Sequence, residues 1–240
     1  MNLTKVKAAW NGKVPKILVG APHWDLKDYL LERYAKRIKE FDYPNYDILI
    51  ADNSKDPGHV EVFKKLDLPV IWTGGGMTAR ERVRDSRNAI RDRVLEGDYD
   101  FVFFYDTDII APKNILLELL QWGKKVIGGW YYVGIPLYAR PVVTRNWQTV
   151  VANNEDHDRM GLYKEMAKNR LMKSFLGAMG VQLIHRDILE RFKFVILPEM
   201  DWFADSFFFY ALERNGIQAY TDTEMLCPHY QTDWAKVKDK

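Results

Sequence analysis

Residues 100–108 read Asp-Phe-Val-Phe-Phe-Tyr-Asp-Thr-Asp, an apolar run of five residues followed by two acids that flank a threonine. The run 101–105 lacks the polar alternation of a half-exposed strand, so it predicts a central parallel strand that is buried on both faces. Asp106 and Asp108 follow the strand, and their side chains point to the same side if the extended geometry continues. Ligands of open α/β sheets bind outside the carboxyl ends of strands. The stretch therefore predicts an α/β fold with a ligand site beside the two acids.

Strand-like and helix-like segments alternate around this stretch in the first half of the chain. Short apolar runs predict strands at 16–22, 46–51, 70–73 and 100–105, and helical spacing predicts helices at 26–41, 59–65, 79–95 and 112–122. Asp25 is the expected N-cap of the first helix, and Thr78 with Glu81 forms a capping-box pattern before the third. This alternation predicts a mostly parallel central sheet with helices on both faces.

The second half of the chain is less regular and predicts a smaller, irregular region beside the sheet. Strands are expected at 126–133, 181–184, 217–220 and 225–227, and helices at 160–173 and 202–215, the last closed by Gly216. Residues 134–158 mix Pro, Arg, Asn and Asp with isolated apolar residues, so we expect an insertion over one edge. Since no repeat or linker-like composition divides the chain, the prediction is a single domain over residues 1–240.

Composition restricts the class of protein. The 240 residues carry 35 Lys and Arg against 33 Asp and Glu, a net charge of +2, which argues against a dedicated nucleic-acid binder. A hydrophobic fraction of 47% with 28% charged residues is typical of a globular domain. The single cysteine fits a reducing compartment, and we find no apolar run of the kind that a signal peptide or a spanning helix needs. We therefore expect a cytoplasmic protein with no transmembrane segment, for which peripheral membrane contact stays open.

The two acids after the apolar run predict a divalent metal ion. Carboxylates this close, with no lysine beside them in the sequence, repel each other, and a bound cation would relieve that cost. Oxygen ligands favour Mg²⁺ or Mn²⁺ over zinc, and His229, directly after the last expected strand, is a candidate third ligand. The alternatives are that Asp108 caps a helix while Asp106 accepts amide hydrogens, and that His229 is an ordinary surface or core histidine.

The helix expected at 79–95 is rich in arginine. Arg80, Arg84, Arg87 and Arg91 share one face at helical spacing, next to an apolar stripe. A fork of N–H donors matches the oxygens of a diphosphate, so Arg84 and Arg87 are candidate ligands of such a group. The alternative is a solvated face whose arginines pair with acids of the same helix.

Two further acids lie at the start of the helix expected at 202–215. Asp201 is most simply a helix cap, whereas Asp205 lies one turn further on and is a candidate general base. Aromatic residues make up 14% of the chain, and rings with a polar edge suit sugar binding. Candidate members of a sugar-binding wall are Trp130, Tyr131, Tyr132 and Trp202, with core packing as the alternative for each.

The order of these features resembles the GT-A fold of nucleotide-sugar-dependent glycosyltransferases, particularly the family-2-like group, over about residues 15–230. The family's first strand with its small-residue turn matches Val19–Pro22, and its base-reading acid matches Asp52. Its Arg-Asn pair matches Arg87–Asn88, and its D-x-D motif matches Asp106–Asp108.

Later residues continue the resemblance. Residues 177–189 look like the family's glycine-containing strand followed by an arginine and a helix. Ala204–Asp205 resembles a Glu-Asp motif whose aspartate deprotonates the acceptor, although Ala204 replaces the glutamate here and leaves Asp201 as a substitute. His229 matches a late histidine that is a metal ligand in many members.

The resemblance implies a metal-dependent glycosyltransferase that moves a sugar from a nucleotide-diphosphate sugar to an acceptor hydroxyl. It implies an inverting reaction with Asp205 as the base, although a retaining enzyme would not need a base there, and Mn²⁺ or Mg²⁺ on Asp106, Asp108 and His229. The implied donor-binding residues are Ala21, Pro22, Asp52, Arg84, Arg87, Asp106 and Thr107. Residues 15–130 would bind the nucleotide, and residues 131–230 would bind a glycan, lipid or protein acceptor. The alternative function is a non-catalytic nucleotide-sugar or glycan-binding module on the same fold.

Overall fold

The computed structural model describes residues 3–74, 78–133, 140–141, 159–197, 199–200 and 202–231. Its strands are β1 (Ile17–His23), β2 (Tyr46–Asp52), β3 (Val70–Trp72), β4 (Phe101–Tyr105), β5 (Val126–Trp130), β6 (Tyr132–Val133), β7 (Arg140–Pro141), β8 (Leu171–Ser174), β9 (Val181–His185) and β10 (Ala219–Leu226). Its α-helices are α1 (Thr4–Ala9), α2 (Leu31–Ile38), α3 (Val60–Lys65), α4 (Ala79–Glu96), α5 (Ile115–Leu120), α6 (Arg159–Lys168), α7 (Arg186–Arg191) and α8 (Ala204–Arg214). Short 3-10 helices, Asp25–Leu30 and Pro57–His59, follow β1 and β2. In this described part, no helix is both long enough and apolar enough to cross a membrane.

Eight strands form one sheet in the order β3-β2-β1-β4-β9-β5-β10-β8. β9 is antiparallel to β4 and β5, β8 is antiparallel to β10, and the other six strands run parallel to one another. His23 lies opposite Asp52 at the ends of β1 and β2, so the residues that follow these strands meet at one edge of the sheet. The predicted α/β fold with a mostly parallel sheet is confirmed.

Hydrophobic cores cover both faces of this sheet. Along β4, Phe101, Phe103 and Tyr105 belong to a core shared with α1, α2 and α5, whereas Val102 and Phe104 belong to a second core with α4, α7 and α8. All five side chains are fully buried. Burying a large apolar side chain contributes about 1.5–3 kcal/mol, so the apolar run fixes β4 in the middle of the sheet. The two acids that follow are thereby held at the sheet's edge.

Helix α4 packs unusually closely on β1. A Cβ atom added at Gly20 would lie 2.3 Å from Cγ2 of Ile90 on α4, so glycine is needed for this approach. The predicted capping box is present, because the Thr78 hydroxyl accepts from the Glu81 amide and the Glu81 carboxylate accepts from the Thr78 amide. The helix begins where the sequence predicts, and it brings Arg87 to the end of β4.

The structure differs from the prediction at the far edge of the sheet. The helix expected at 160–173 ends at Lys168, and Leu171–Ser174 forms the edge strand β8. Lys173 is exposed between two buried neighbours, which is the alternation of a half-buried strand. A segment this short cannot be distinguished from a helical turn by its period, so its pairing with β10 decides its structure.

Other local expectations need correction. Asp25 is not the N-cap of an α-helix, because it begins a 3-10 helix and α2 starts only at Leu31. The strands expected at 217–220 and 225–227 are parts of the single strand β10. Gly216 has the positive φ of 69° expected at the end of a helix. The insertion expected at 134–158 lies outside the described residues, except for 140–141.

Candidate active site

The turn after β4 is clamped against the segment around His229. The Asp106 amide donates to the Gly180 carbonyl at 3.0 Å, and the Tyr230 amide donates to the Asp108 carbonyl at 2.8 Å. A Cβ atom at Gly180 would lie 2.9 Å from Oδ2 of Asp106, so the turn before β9 needs glycine where it passes this carboxylate. The clamp places the late histidine beside the D-x-D acids.

His229 and Lys27 reach the same carboxylate oxygen of Asp108. Lys27 Nζ lies 2.8 Å from Oδ2 of Asp108, and His229 Nε2 lies 3.3 Å from it. His229 Nδ1 donates to the Tyr132 carbonyl at 2.9 Å, which fixes the ring with Nε2 toward Asp108. The other oxygen, Oδ1 of Asp108, is buried and has no hydrogen-bond partner in the described structure. Oδ2 of Asp108 therefore has two cationic or polar neighbours, whereas Oδ1 lacks a hydrogen-bond donor in the described structure.

The contact between Lys27 and Asp108 is a buried ion pair. Burial alone would lower the pKa of Lys27, but the carboxylates of Asp108 and Asp106 outweigh it and raise that pKa. Burial would raise the pKa of Asp108, but Lys27 and His229 together bring that pKa well below its usual value. Both groups are therefore charged at neutral pH. No lysine is adjacent to the two acids in the sequence, but in the folded structure Lys27, from a distant segment, contacts Asp108. The expectation that the two acids lack a lysine neighbour is therefore wrong.

Arg87 joins the acid on α8 to the first acid after β4. Its Nε and Nη2 bind the two oxygens of Asp205 at 2.6 and 3.0 Å, and Nη2 lies 3.4 Å from Oδ1 of Asp106. The guanidinium lies over the Phe104 ring, 5.0 Å from its centroid, and is buried. Its Nη1 is also buried and has no hydrogen-bond partner among the residues that the structure describes. The fork fixes the Asp205 carboxylate and leaves the Nη1 amino group without an acceptor in the described structure.

The surroundings shift the pKa values of this second pair as well. Burial raises the pKa of Asp205 above the usual carboxyl value, and Arg87 opposes this shift without cancelling it. The pKa of Arg87 lies well above its usual value because Asp205 and Asp106 outweigh the effect of burial. A positioned carboxylate with a raised pKa is suited to accept a proton.

The end of β2 holds another buried carboxylate. Asp52 Oδ1 accepts from the amide and the hydroxyl of Ser54 at 3.1 and 2.6 Å, and Oδ2 lies 3.0 Å from Nδ1 of His59. Both oxygens of Asp52 are therefore partnered, and the residue is fully buried.

A chain of hydrogen bonds links the ends of β2 and β4. His59 Nε2 lies 3.0 Å from Oδ2 of Asp28, whose Oδ1 lies 2.9 Å from His23 Nε2, and His23 Nδ1 lies 2.9 Å from the Thr107 hydroxyl. The two imidazole rings stack with their centroids 5.6 Å apart. Ligand atoms of His23, Asp28 and His59 all lie within 4.8 Å of one another, an arrangement that could hold a metal ion.

The pKa values of His23, Asp28 and His59, the titratable groups of this hydrogen-bonded series, are shifted in different directions. Burial lowers the pKa of His23, and Asp28 opposes that shift. Burial would also lower the pKa of His59, but Asp28 and Asp52 outweigh it and raise that pKa. The pKa of Asp28 is lowered because its bonds to the two histidines outweigh its partial burial.

A cleft of about 200 Å³ opens between these strand ends and α4. Its walls are formed by Pro22, His23, Trp24, Lys27, Asn53, Ala79, Arg82, Val83, Arg87, Asp106, Phe203 and Asp205. Four of the residues singled out in the sequence are in this set: Pro22, Arg87, Asp106 and Asp205. The cleft therefore gathers one candidate base, the first acid of the D-x-D motif and three cationic side chains at the carboxyl edge of the sheet.

Other residues singled out in the sequence lie around the cleft without lining it. Ala21 is fully buried within β1, so the expected turn at Val19–Pro22 is part of the strand. Thr107 is fully buried, and its hydroxyl contacts Nδ1 of His23. Asp52 does not line the cleft, but the next residue, Asn53, does. Arg84 Nε binds Asp85 at 2.7 Å on a partly exposed side of α4, as expected for a solvated helix face.

Two rings of the expected aromatic wall, those of Trp130 and Tyr132, meet edge to face with their centroids 5.1 Å apart. Trp130 packs in a small core cluster and its Nε1 donates to the Thr223 carbonyl at 2.8 Å. Tyr131 is buried in the main core, Tyr132 is partly exposed, and Trp202 packs against Phe207. Core packing therefore accounts for Trp130 and Tyr131, whereas the Tyr132 ring is exposed. Asp201 lies outside the described residues.

Sequence reasoning missed the residues that follow β1. Lys27 and Asp28 lie on the 3-10 helix, and Trp24 stacks under the guanidinium of Arg82, 4.6 Å from its carbon to the ring centroid. The signal was the stretch His-Trp-Asp-Leu-Lys-Asp at 23–28, a charged and aromatic segment directly after an apolar strand. Loops at the carboxyl ends of strands carry ligand-binding groups in this class of sheet, so that position alone could have indicated them.

Comparison with solved structures identifies similar folds at low sequence identity. One is the mannosyltransferase PcManGT from Pyrobaculum calidifontis in complex with GDP-Man and Mn²⁺, with a TM-score of 0.61 and 15% identity over 92% of this chain. The chain spans 58% of that protein's length. Another is a mycobacterial protein, with a TM-score of 0.57, 15% identity and coverage of 99% of this chain and 74% of the other.

Sequence comparison finds no matching protein-family model. A search of curated proteins likewise finds no match. The structural likeness at 15% identity is one of fold, so the chain shares an α/β fold with that mannosyltransferase.

Proposed function

We propose that this chain transfers a sugar from a nucleotide-diphosphate sugar to an acceptor hydroxyl, with inversion and with Asp205 as the general base. The observation that carries the proposal is the fork of Arg87, which holds Asp205 and Asp106 together at the cleft. A base and cations at the carboxyl edge of a GT-A-type sheet are what this reaction requires. The solved mannosyltransferase of similar fold binds a GDP-sugar, which supports the donor class.

Each residue has a task set by the chemistry of the reaction. The acceptor hydroxyl attacks the anomeric carbon, its proton passes to a carboxylate oxygen of Asp205, and the bond to the nucleoside diphosphate breaks. The leaving diphosphate gains negative charge, and buried cations such as Arg87 and Lys27 stabilise that charge without reorganising. The raised pKa of Asp205 favours proton transfer to it. Asp106, which contacts Arg87 on the cleft side, would accept a hydrogen bond from a hydroxyl of the donor.

A divalent metal ion is part of what the resemblance implies, on Asp106, Asp108 and His229. Within the described chain, these three do not gather their ligand atoms within 4.8 Å, whereas the His23 cluster does. Lys27 also uses Oδ2 of Asp108. The ligand set as it stands does not fit an ion, so no step of the proposed reaction passes through one.

A non-catalytic nucleotide-sugar-binding module is the second candidate. The observation that favours it is that both oxygens of Asp205 are bound by Arg87, while Ala204 stands where the related motif has an acid. A module of this kind would bind the nucleotide sugar and would not release the nucleotide.

The experiment that tests the proposal is a panel of UDP-, GDP-, CMP- and dTDP-sugars in a thermal-shift assay, followed by a measurement of released nucleotide. A ligand that binds only the folded state raises the melting temperature, so a shift with one nucleotide identifies the donor class. We expect one class to give a shift and to release nucleotide when acceptors are added. A shift without release would favour the binding module, and no shift from any member of the panel would contradict both candidates.

A further inference from the structure

We propose that the Lys27 ammonium, anchored on Asp108, supplies the positive charge that faces the donor diphosphate, so that nucleotide binding by this chain does not require a divalent metal ion. This inference rests on the proposed function. It concerns the place at which the resemblance implies a metal ion and at which the structure has an ammonium group.

The position of Lys27 is fixed by its neighbours. The 3-10 helix that carries it is tied at its start, where the Asp25 amide donates to the Ser54 hydroxyl at 3.0 Å. It is tied again at Asp28, whose two oxygens are held by His23 and His59. Lys27 lies between these ties, so its backbone has little freedom to move away from the cleft.

The charges of Lys27 and Asp108 are largely shielded from solvent. The ammonium lies 2.8 Å from Oδ2 of Asp108, and only 19% of the Lys27 side chain and 5% of the Asp108 side chain are exposed. A pair this buried is weakly screened by salt. An ammonium has three N–H donors, of which Asp108 takes one, and Lys27 also lines the cleft. It can therefore hold Asp108 and a phosphate oxygen at the same time.

Lys27 and a metal ion would compete for the same carboxylate oxygen, Oδ2 of Asp108. A Mg²⁺ ion binds carboxylate oxygens at about 2.0–2.1 Å. An ion at that distance from Oδ2 of Asp108 would lie close to the ammonium of Lys27, and the two cations would repel each other. An ion bound to Oδ2 of Asp108 therefore requires Lys27 to leave, whereas the ammonium already neutralises the carboxylate.

A second cation completes the arrangement. Arg87 lines the same cleft, and its buried Nη1 has no hydrogen-bond partner in the described part of the chain. A buried unpaired donor of a charged group is costly, and a phosphate oxygen would satisfy it. Lys27 and Arg87 would thus both contact a diphosphate in this cleft.

The test measures binding of the nucleoside diphosphate from the hit in the sugar panel, by calorimetry, with metal-free protein in EDTA and again in Mn²⁺. We expect the wild-type dissociation constants in the two conditions to agree within threefold. We expect Lys27→Met to lose at least tenfold in affinity in EDTA and to recover affinity in Mn²⁺, because Asp108 and His229 are then free to bind the ion. Lys27→Arg should keep binding in EDTA.

The controls separate a local effect from unfolding and from a wrong function. Lys113→Met removes an exposed lysine that pairs with Glu40, and it should behave as wild type. Far-UV circular dichroism of each variant checks the fold. Wild-type binding that is lost in EDTA and restored by Mn²⁺, with the same dependence in Lys27→Met, would overturn the inference and leave the proposed function standing. The absence of nucleotide binding in both conditions would overturn the proposed function and the inference together.

Discussion

The ends of β2 and β4 both bury carboxylates at one edge of the same sheet, but the carboxylates are satisfied in different ways. At the end of β2, both oxygens of Asp52 are held by Ser54 and His59, which are its near neighbours in sequence. At the end of β4, Asp106 and Asp108 are held by long cationic side chains that come from elsewhere in the chain. The first end is closed by short-range contacts, and the second depends on the tertiary fold.

Buried polar atoms without a hydrogen-bond partner distinguish the end of β4 from the end of β2. Oδ1 of Asp108 and Nη1 of Arg87 are two of the four buried side-chain atoms without a partner in the described structure, and both lie at the end of β4. The other two belong to Gln182 on β9, whose side chain is closely approached by Gly128 and Gly177. Buried polar atoms are normally hydrogen-bonded, so unmet atoms beside a cleft indicate groups that a ligand completes. We therefore expect changes at the end of β2 to affect stability and changes at the end of β4 to affect ligand binding and turnover.

The largest effect should follow replacement of the proposed base. Asp205→Asn keeps the shape of the side chain but cannot accept the proton, so turnover should fall by about 10²- to 10⁴-fold. Initial rates of nucleotide release with saturating donor and acceptor measure this. Asp85→Asn, which neutralises a partly exposed acid paired with Arg84, is the matched control and should keep the wild-type rate. Equal rates in Asp205→Asn and wild type would remove Asp205 from the mechanism.

The next effect concerns stability at the end of β2. Asp52→Asn removes the charge from bonds to Ser54 and His59, and hydrogen bonds to charged groups contribute about 1.5–3 kcal/mol. The free energy of unfolding, measured by urea denaturation, should fall by about that amount. Asp47→Asn, which changes a half-exposed acid on the same strand, should cost no more than about 1 kcal/mol. Equal losses in the two variants would show that the buried network adds nothing to stability.

The matched change at the end of β4 should affect binding of the sugar donor more than the free energy of unfolding. Asp106 makes only a 3.4 Å contact with Arg87 through its carboxylate, so Asp106→Asn should change the free energy of unfolding by less than about 1 kcal/mol. A donor hydroxyl bound by a neutral amide instead of a carboxylate loses about 1 kcal/mol, so the KM for the sugar donor should rise roughly fivefold to tenfold. If Asp106→Asn destabilises the protein as much as Asp52→Asn does, the two strand ends do not differ as described.

The smallest effect is a pH dependence at the end of β2. The pKa of His59 is raised in the folded protein by Asp28 and Asp52, so its protonated form stabilises the fold below the unfolded pKa of about 6.5. This contribution is lost as the pH rises through the folded pKa. Relative to His59→Gln, the wild type should lose less than about 1 kcal/mol of unfolding free energy on going up through this range, because the pair is partly exposed. A difference between the two proteins that is independent of pH would contradict this assignment.

The sequence predicts those parts of the fold that local rules control. The apolar run before Asp106 indicates a central strand, and the pair Thr78 and Glu81 indicates where α4 begins. The same local reasoning fails for Leu171–Ser174, because a four-residue strand exists only through its pairing with β10. Fold and helix starts are therefore more predictable than short edge strands.

The candidate site is predictable only in part, since its key contacts join distant segments. The positions of Asp106, Arg87 and Asp205 at the cleft follow from a motif, a helix face and a helix start. The contact of Lys27 with Asp108 and that of His23 with Thr107, 84 residues away, depend on the sheet order, which no spacing in the sequence states. The sequence alone therefore does not reveal the ammonium group beside Asp108.

The most direct measurement is a crystal structure of the protein with the nucleoside diphosphate that stabilises it most. We predict phosphate oxygens within hydrogen-bond distance of Nη1 of Arg87, with Asp52 and its partners unchanged at the end of β2. A diphosphate bound away from the β4 end, with Nη1 of Arg87 still unpartnered, would contradict the claim that this strand end is the ligand site.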